Sequence, residues 1–254
     1  MPPFYAKAPS GELQAMAQAR VSEAALGWRP NVVLRGYDHL RLASYVACSE
    51  EAWTELAAMW DDLPADAYMK APHPGRFRRY GRFSYSRSDD RLVSLAQAPF
   101  SQGLDINAYA GGIPRDFAPL TEATIGNPLF EATLRAGIAA FIDVEDARPW
   151  EIGVHQIRVV ALADQPGAPT PEGLHRDGYD FVAVHLIGRK NIAGGETLLL
   201  VDGVERCSLM SEPLETMFID DVRCMHGASP IQPLDASRLA ARDTLIVTFH
   251  HVRP

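Results

Sequence analysis

Cysteine is scarce in this chain of 254 residues, and what there is cannot organise it. Cys48, Cys207 and Cys224 are odd in number and show no CxxC spacing, which excludes a disulfide framework or a zinc knuckle as the basis of the fold. A reduced compartment is expected. No apolar run approaches the roughly 20 residues of a membrane-spanning helix. The opening Met1-Pro2-Pro3-Phe4-Tyr5-Ala6-Lys7 lacks the basic-then-apolar layout of a secretory signal, so a cytoplasmic location is expected. Positive charge is also short. Lys and Arg number 24 against 32 Asp and Glu, a net charge of −8, which argues against general affinity for nucleic acid or an anionic membrane. It leaves room for a small anionic molecule in a locally basic pocket. Repeats and low-complexity tracts are missing too. What remains is an ordinary globular composition, 47% hydrophobic and 22% charged.

Along the chain, helices gather first and strands later. A helix is expected over 10–26, closed by Gly27 and Pro30, then a strand over 31–37. A second helix is expected over 49–63: Ser49 suits the N-cap, Trp53, Leu56, Ala57 and Trp60 make one buried stripe, and Pro64 ends it. Residues 76–87 interleave arginines with aromatics. In an acidic chain this alternation fits a half-buried strand better than a single-stranded nucleic-acid surface. Residues 104–112 read as strand and turn. The next helix has Asn127 as cap, Pro128 at its first position and Phe130, Leu134, Ile138 and Phe141 as its buried stripe. Short β-type runs follow at 150–162, 174–187, 196–201, 204–208, 215–219, 222–226 and 244–252, separated by turns rich in Gly, Pro and Asp. Serial strands of this kind predict a sandwich or barrel. The whole, 1–254, reads as one α+β domain, with the helical layer mainly in 1–149 and the β core in 150–254.

Histidine and aspartate carry the chemistry. His175 and Asp177 stand two apart at the start of a run that reads as extended, and in a strand such residues point to one face. One imidazole and one carboxylate could then meet one metal ion. His226, before Gly227, offers a second imidazole. Two histidines and a carboxylate form the facial triad of non-haem Fe(II) oxygenases, which leaves coordination positions open. In a chain with eight histidines an isolated H-x-D also arises by chance as a pair of structural polar residues. Of the other histidines, His185 reads as a core residue in mid-strand, His39 and His73 fall in loops, and adjacent His250 and His251 face opposite ways. A cavity role for His155 stays open.

A 2-oxo acid would need a cation for its distal carboxylate. Arg242 opens a strand in which it shares a face with Thr244, Ile246, Thr248 and His250; Arg238, four residues earlier, is its competitor. One arginine of 76–87 could hold a substrate anion. Arg79, Arg82, Arg115 and Arg158 are candidates for a substrate carboxylate and Asp105 or Glu122 for an ammonium, none of them placed.

The pieces Val154-His155-Gln156-Ile157-Arg158, Thr170-Pro171-Glu172-Gly173-Leu174-His175-Arg176-Asp177-Gly178, Gly188 through Glu196, His226-Gly227 and Arg242-Asp243, with a weaker match over 102–117, together resemble one family. It is the bacterial 2-oxoglutarate/Fe(II) dioxygenases of the subfamily containing L-isoleucine 4-hydroxylase, some of whose members are described as biofilm-associated. The resemblance implies a double-stranded β-helix (a cupin-like jelly roll) with flanking N-terminal helices. It places His175, Asp177 and His226 at iron positions and Arg242 at the 2-oxoglutarate position. It implies Fe(II), 2-oxoglutarate and O2 as cofactors, and hydroxylation of a small molecule such as a free L-amino acid at an aliphatic carbon. The rival expectations are a cupin-like metal protein with another activity, or a non-catalytic stress or biofilm regulator.

Overall fold

The computed structural model describes residues 28–47, 49–70, 75–107, 109–143, 146 and 148–252. The helix expected over 10–26, its stop at Gly27, and His73 lie outside them. The helices are α1 (Trp28–Arg35), α2 (Glu50–Ala58), α3 (Glu122–Gly126) and α4 (Pro128–Phe141). The strands are β1 (Tyr37–Arg41), β2 (Arg76–Ser86), β3 (Arg91–Ser94), β4 (Ala118–Pro119), β5 (Trp150–Ala161), β6 (Phe181–Lys190), β7 (Ile192–Gly194), β8 (Thr197–Val201), β9 (Val204–Ser208), β10 (Glu215–Asp220), β11 (Cys224–Ala228), β12 (Ile231–Pro233) and β13 (Ala240–His251). Among the described residues, no helix is long and apolar enough to cross a membrane.

The large sheet runs β1-β10-β6-β13-β5-β2-β3, with β4 beside β2; a small sheet, β11-β8-β9, and the pair β12-β7 complete the strands. All pairings are antiparallel except β2 with β4. This is a double-stranded β-helix, the jelly roll expected above. Strand alternation gives the large sheet two faces. On the outer face Ile152, Val154, Leu245, Val247 and Phe249 join Leu129, Leu134, Ile138 and Phe141 of α4 in the main core. Each such side chain contributes roughly 1.5–3 kcal/mol by burial. α4 approaches closely there because Gly137 has no side chain: a Cβ would sit 2.3 Å from the Phe249 ring. On the inner face Val182, Val184, Leu186, Met217 and Ile219 pack against Leu199, Val201 and Cys224 of the small sheet. Next to that apolar contact the two sheets leave a cavity.

α4 follows its expectation closely, since the Asn127 side chain accepts from the N–H groups of Leu129 and Phe130. Ser49 caps α2 as expected, but that helix ends at Ala58 rather than at 63. Its continuation tightens into turns, and the indole N–H of Trp60 donates to the Ile157 carbonyl on β5.

Four expectations fail locally. Residues 31–35 are helical rather than extended, with only Tyr37 of the expected strand entering β1, and Pro30 does not stop a helix but lies within α1. Proline fits the first turn because the N–H it lacks has no acceptor there. Gly36, at φ 82°, ends α1 by donating to the Val32 carbonyl, and β1 starts after it. The described residues of 104–112 form turns without a strand, as the Asn107 side chain takes the N–H groups of Tyr109 and Ala110 from any ladder. His39 lies in β1 rather than in a loop.

His185, expected as a core residue, is fully buried on β6, with Nδ1 2.8 Å from Thr216 Oγ1. Burial pushes its pKa down to about 3. The unfolded chain then binds the proton first, so stability is complete above about pH 6.5 and falls as pH drops from there toward 3. The expected slope is about 1.4 kcal/mol per pH unit from this residue. Urea unfolding across that range checks it: His185→Asn should flatten the slope, and an unchanged slope would remove His185 as its source.

Candidate metal centre

β11 pairs with β8, and this carries His226 into the cavity. His175 joins it through a single bridge: His175 N–H donates to the His226 carbonyl at 2.9 Å, and His226 N–H to the His175 carbonyl at 2.8 Å. The run 174–180 is therefore not a strand, and β6 begins only at Phe181. Gly173 (φ 79°) and Gly178 (φ 83°) turn the chain on either side of the bridge. Asp177 reaches its place by a different route from strand parity. The buried Asp221 carboxylate accepts the N–H groups of Asp177 (3.1 Å), Gly178 (2.8 Å) and Tyr179 (3.1 Å), and so holds the loop against the end of β10.

Asp177 then faces both imidazoles. Its Oδ1 lies 3.5 Å from His175 Nε2 and its Oδ2 3.5 Å from His226 Nε2. One donor atom from each of the three lies within 4.8 Å of the others, a spacing that one metal ion can bridge. Of the remaining ring nitrogens, His175 Nδ1 is 2.9 Å from the Gly173 carbonyl, whereas His226 Nδ1 makes no hydrogen bond among the described residues but lies 3.4 Å from Asp221 Oδ1, within ion-pair distance. Both contacts favour the tautomer that leaves Nε2 free for an ion. Burial opposes ionisation of Asp177, but its hydrogen bonds to His175 and His226 outweigh that and hold the carboxyl well below its usual range. Burial likewise opposes charging His226, but the bonds to Asp177 and Asp221 raise it to about 10. A divalent cation would take the place of the proton that this carboxylate pair attracts.

The cavity around these donors has a volume of about 90 Å³ and opens to solvent. Arg242 projects into it from β13 with Thr244, Ile246 and Thr248, the face that strand parity predicts. A register shift against β6 between Asp243 and Thr244 lies beside it. Arg242 is 5% exposed and its Nε has no hydrogen-bond partner among the described residues. Burial, then the neighbouring Arg189, lowers its pKa to about 10. A desolvated cation facing a cavity beside a metal-donor set fits an anionic ligand that chelates the ion.

A family model described as 2OG-Fe dioxygenase matches residues 57–248. The chain belongs to this family. The dioxygenase therefore works with Fe(II), 2-oxoglutarate and O2, and the donor set and the unpartnered Arg242 suit those groups. It is 30% identical over 197 residues to L-isoleucine-4-hydroxylase of Bacillus thuringiensis, covering 75% of this chain and 79% of that one. It is 27% identical over 202 residues to 3(1)-hydroxy-L-isoleucine 4-dioxygenase of Pantoea ananatis, covering 77% and 79%. The crystal structure of a bsmA homologue from Methylobium petroleophilum PM1 superposes with TM-score 0.79 at 29% identity, covering 89% of this chain and 92% of that one. That of IDO from Bacillus thuringiensis superposes with TM-score 0.74 at 20% identity, over 92% and 98%, and shows the shared fold.

The other expected residues divide sharply in this dioxygenase. Arg238 is exposed in the loop before β13 and does not line the cavity. Arg79, Arg82 and Arg158 lie outside it and are paired with Asp62, Glu151, and Asp61 with Asp243, respectively. Asp105 and Glu122 are exposed and also outside. Arg115 does line the cavity, as do Arg76 and Arg78 of the arginine-aromatic strand. His155 lines it as well, stacked on Tyr80 at 4.5 Å with Nδ1 2.7 Å from Arg78 Nη2. Gln102, Asn107, Glu172 and Asp221 were not singled out from sequence. Only Glu172 carried a local signal, three residues before His175. The rest arrive through loop packing, with Gln102 accepting from Arg115 at 2.7 Å and donating to the Asp177 carbonyl at 3.1 Å.

Proposed function

We propose that this dioxygenase hydroxylates a free L-amino acid at an aliphatic carbon, with His175, Asp177 and His226 as iron ligands and Arg242 as partner of the distal carboxylate of 2-oxoglutarate. The observation that carries the reading is the convergence of three metal-donor side chains and one buried, unpartnered arginine on a single cavity. The substrate class is supported by the two relatives whose names specify isoleucine compounds. We read 1–254 as one catalytic domain, because β2 from the first half completes the sheet beside β5 and α4 covers its outer face. Bound iron supplies oxygen activation coupled to decarboxylation of 2-oxoglutarate to succinate. The chain's own residues hold the ion, orient the cosubstrate and keep the cavity dry. Of the rival readings, the family match supports neither a metal protein with an unrelated activity nor a non-catalytic regulator.

The test is succinate formation with Fe(II), ascorbate and 2-oxoglutarate against a panel of L-amino acids. Amino-acid-stimulated succinate is expected; a panel without any stimulation sinks the substrate class. Arg242→Met should weaken 2-oxoglutarate binding about 10- to 100-fold, from the loss of a charge-assisted pair of about 1.5–3 kcal/mol, while iron binding persists. Unchanged 2-oxoglutarate affinity in that variant would remove Arg242 from the role.

A further inference from the structure

The proposed iron and 2-oxoglutarate partners leave much of the cavity's charge unexplained. Arg76 and Arg78 enter it from alternate positions of β2, and Arg115 from the loop before β4. They are 9%, 7% and 5% exposed, and each has an Nε without a hydrogen-bond partner. Among the described residues, no carboxylate lies within 4.0 Å of any of the three guanidinium groups. Asp66 acts on Arg78 and Arg115 only from beyond that distance. The protein partly compensates with aromatic faces: the Arg78 guanidinium lies 4.2 Å from the Phe117 ring and that of Arg115 4.7 Å from the Phe100 ring. Burial still pulls the Arg78 pKa down to about 9. Buried guanidinium groups with no carboxylate within pairing distance are costly, and a ligand anion offsets that cost.

The two groups of arginines enter the cavity from opposite flanks of β5. Arg76 and Arg242 both pair across to Val159 of β5, from opposite sides. With neighbouring strands about 4.8 Å apart, their backbones stand roughly 10 Å from each other. Glu172 supplies the opposite sign. It and Asp177 are the carboxylates among the described cavity-lining residues. Its Oε1 is 3.7 Å from His175 Nε2, and no Arg or Lys lies within 4.0 Å of it among the described residues. Its field reaches Arg115 from farther off. Among the described residues the wall thus presents cations that bond neutral groups, Arg78 to His155 and Arg115 to Gln102, but have no carboxylate within 4.0 Å. Beside the metal-donor set it presents, among the same residues, a carboxylate without an ammonium or guanidinium partner.

We propose that Arg78, Arg115 and Glu172 form a head-group subsite for a zwitterionic α-amino acid, the two arginines taking its carboxylate and Glu172 its ammonium. This rests on the amino-acid reading above and assigns the residues that select for it. A simple carboxylic acid would leave Glu172 unpaired, and an amine would leave the arginines unpaired. Arg76, whose Nη2 donates to the Pro169 carbonyl, flanks the carboxylate position.

The test is anaerobic titration calorimetry on the full-length protein loaded with Fe(II) and 2-oxoglutarate. The twenty standard L-amino acids are titrated first, then the N-acetyl and amide derivatives of the tightest binder. Each derivative should bind wild type at least tenfold more weakly than the free amino acid. Glu172→Gln should weaken the free amino acid at least tenfold and the N-acetyl derivative little, so that the ammonium preference disappears. Arg115→Met should abolish the preference for the free carboxylate over the amide. Both variants should bind 2-oxoglutarate as wild type does, which also reports an intact fold, whereas Arg242→Met should not. Wild-type affinity for the amino acid in Glu172→Gln would overturn the subsite and leave the amino-acid reading standing. If no amino acid binds wild type, that reading and the subsite fall together.

Discussion

Replacing Asp177 with alanine is expected to strip the protein of Fe(II) and to lower succinate formation at least a thousandfold, with the fold intact. Asp177 is the one anionic donor of the set, and its two oxygens each lie 3.5 Å from a histidine Nε2. Without it the ion would meet two imidazoles and solvent, losing the charge that offsets its own desolvation. A thousandfold corresponds to about 4 kcal/mol. The fold should survive because the loop is held through the backbone N–H of Asp177, bonded to Asp221, rather than through its side chain. Metal analysis after anaerobic loading and dialysis decides the point, with circular dichroism as the control. Iron retained at wild-type stoichiometry would show that Asp177 is no ligand.

Asp221→Ala should have the second-largest effect, although Asp221 is absent from the donor set. Its side chain is wholly buried and serves four groups: the N–H of Asp177, Gly178 and Tyr179, and Nδ1 of His226. Removing it leaves three half-buried donors without their acceptor, each worth up to about 1–3 kcal/mol if unmet. Water entering the gap recovers part of this, so a net loss of about 3 kcal/mol is expected. Metal affinity should fall about 10- to 100-fold, the usual consequence of removing a group that orients a ligand. Asp221→Asn separates the two roles. Its amide oxygen can still accept from Gly178 and Tyr179, which restores much of the stability. Its NH2 would then face His226 Nδ1 and favour the tautomer whose Nε2 carries the proton and cannot ligate. The asparagine variant should therefore recover stability more than metal affinity. Chemical unfolding and metal titration read the two separately, and equal recovery of both would argue against the orienting role.

The residues that revealed themselves in the sequence are those whose signals are local. The Asn127 cap with Pro128 predicts α4, because side-chain capping and a missing N–H act within one turn. The alternation over 76–87 predicts β2 and places Arg76, Arg78 and Tyr80 on one face. The same parity puts Arg242 with Thr244, Ile246 and Thr248, and the cavity takes that face. Where local signals conflict, reading fails. Pro30 reads equally as a helix stop or as a first-turn residue. The β-branched pair Val32-Val33 suggests a strand, yet tertiary packing of Val32 in the core keeps it helical.

His175 and Asp177 show the limit most clearly. Their separation by two predicts strand parity, whereas the chain there turns at Gly173 and Gly178 and rests on a bridge to β11 and on Asp221. Composition and spacing by themselves point to one α+β domain with a sandwich or barrel, to the donor types and to the face Arg242 shares on its strand, since periodicity and residue chemistry are written along the chain. The jelly roll and the choice of Arg242 over Arg238 come from the family resemblance. Only the tertiary structure decided that Asp177 meets both histidines, that Arg158 is neutralised by Asp243 and Asp61 while Arg78 and Arg115 are left facing the cavity, and that Glu172 and Asp221 belong beside them. Those outcomes depend on which carboxylates come within about 4 Å of which cations, and on what is desolvated. Packing of distant segments sets both.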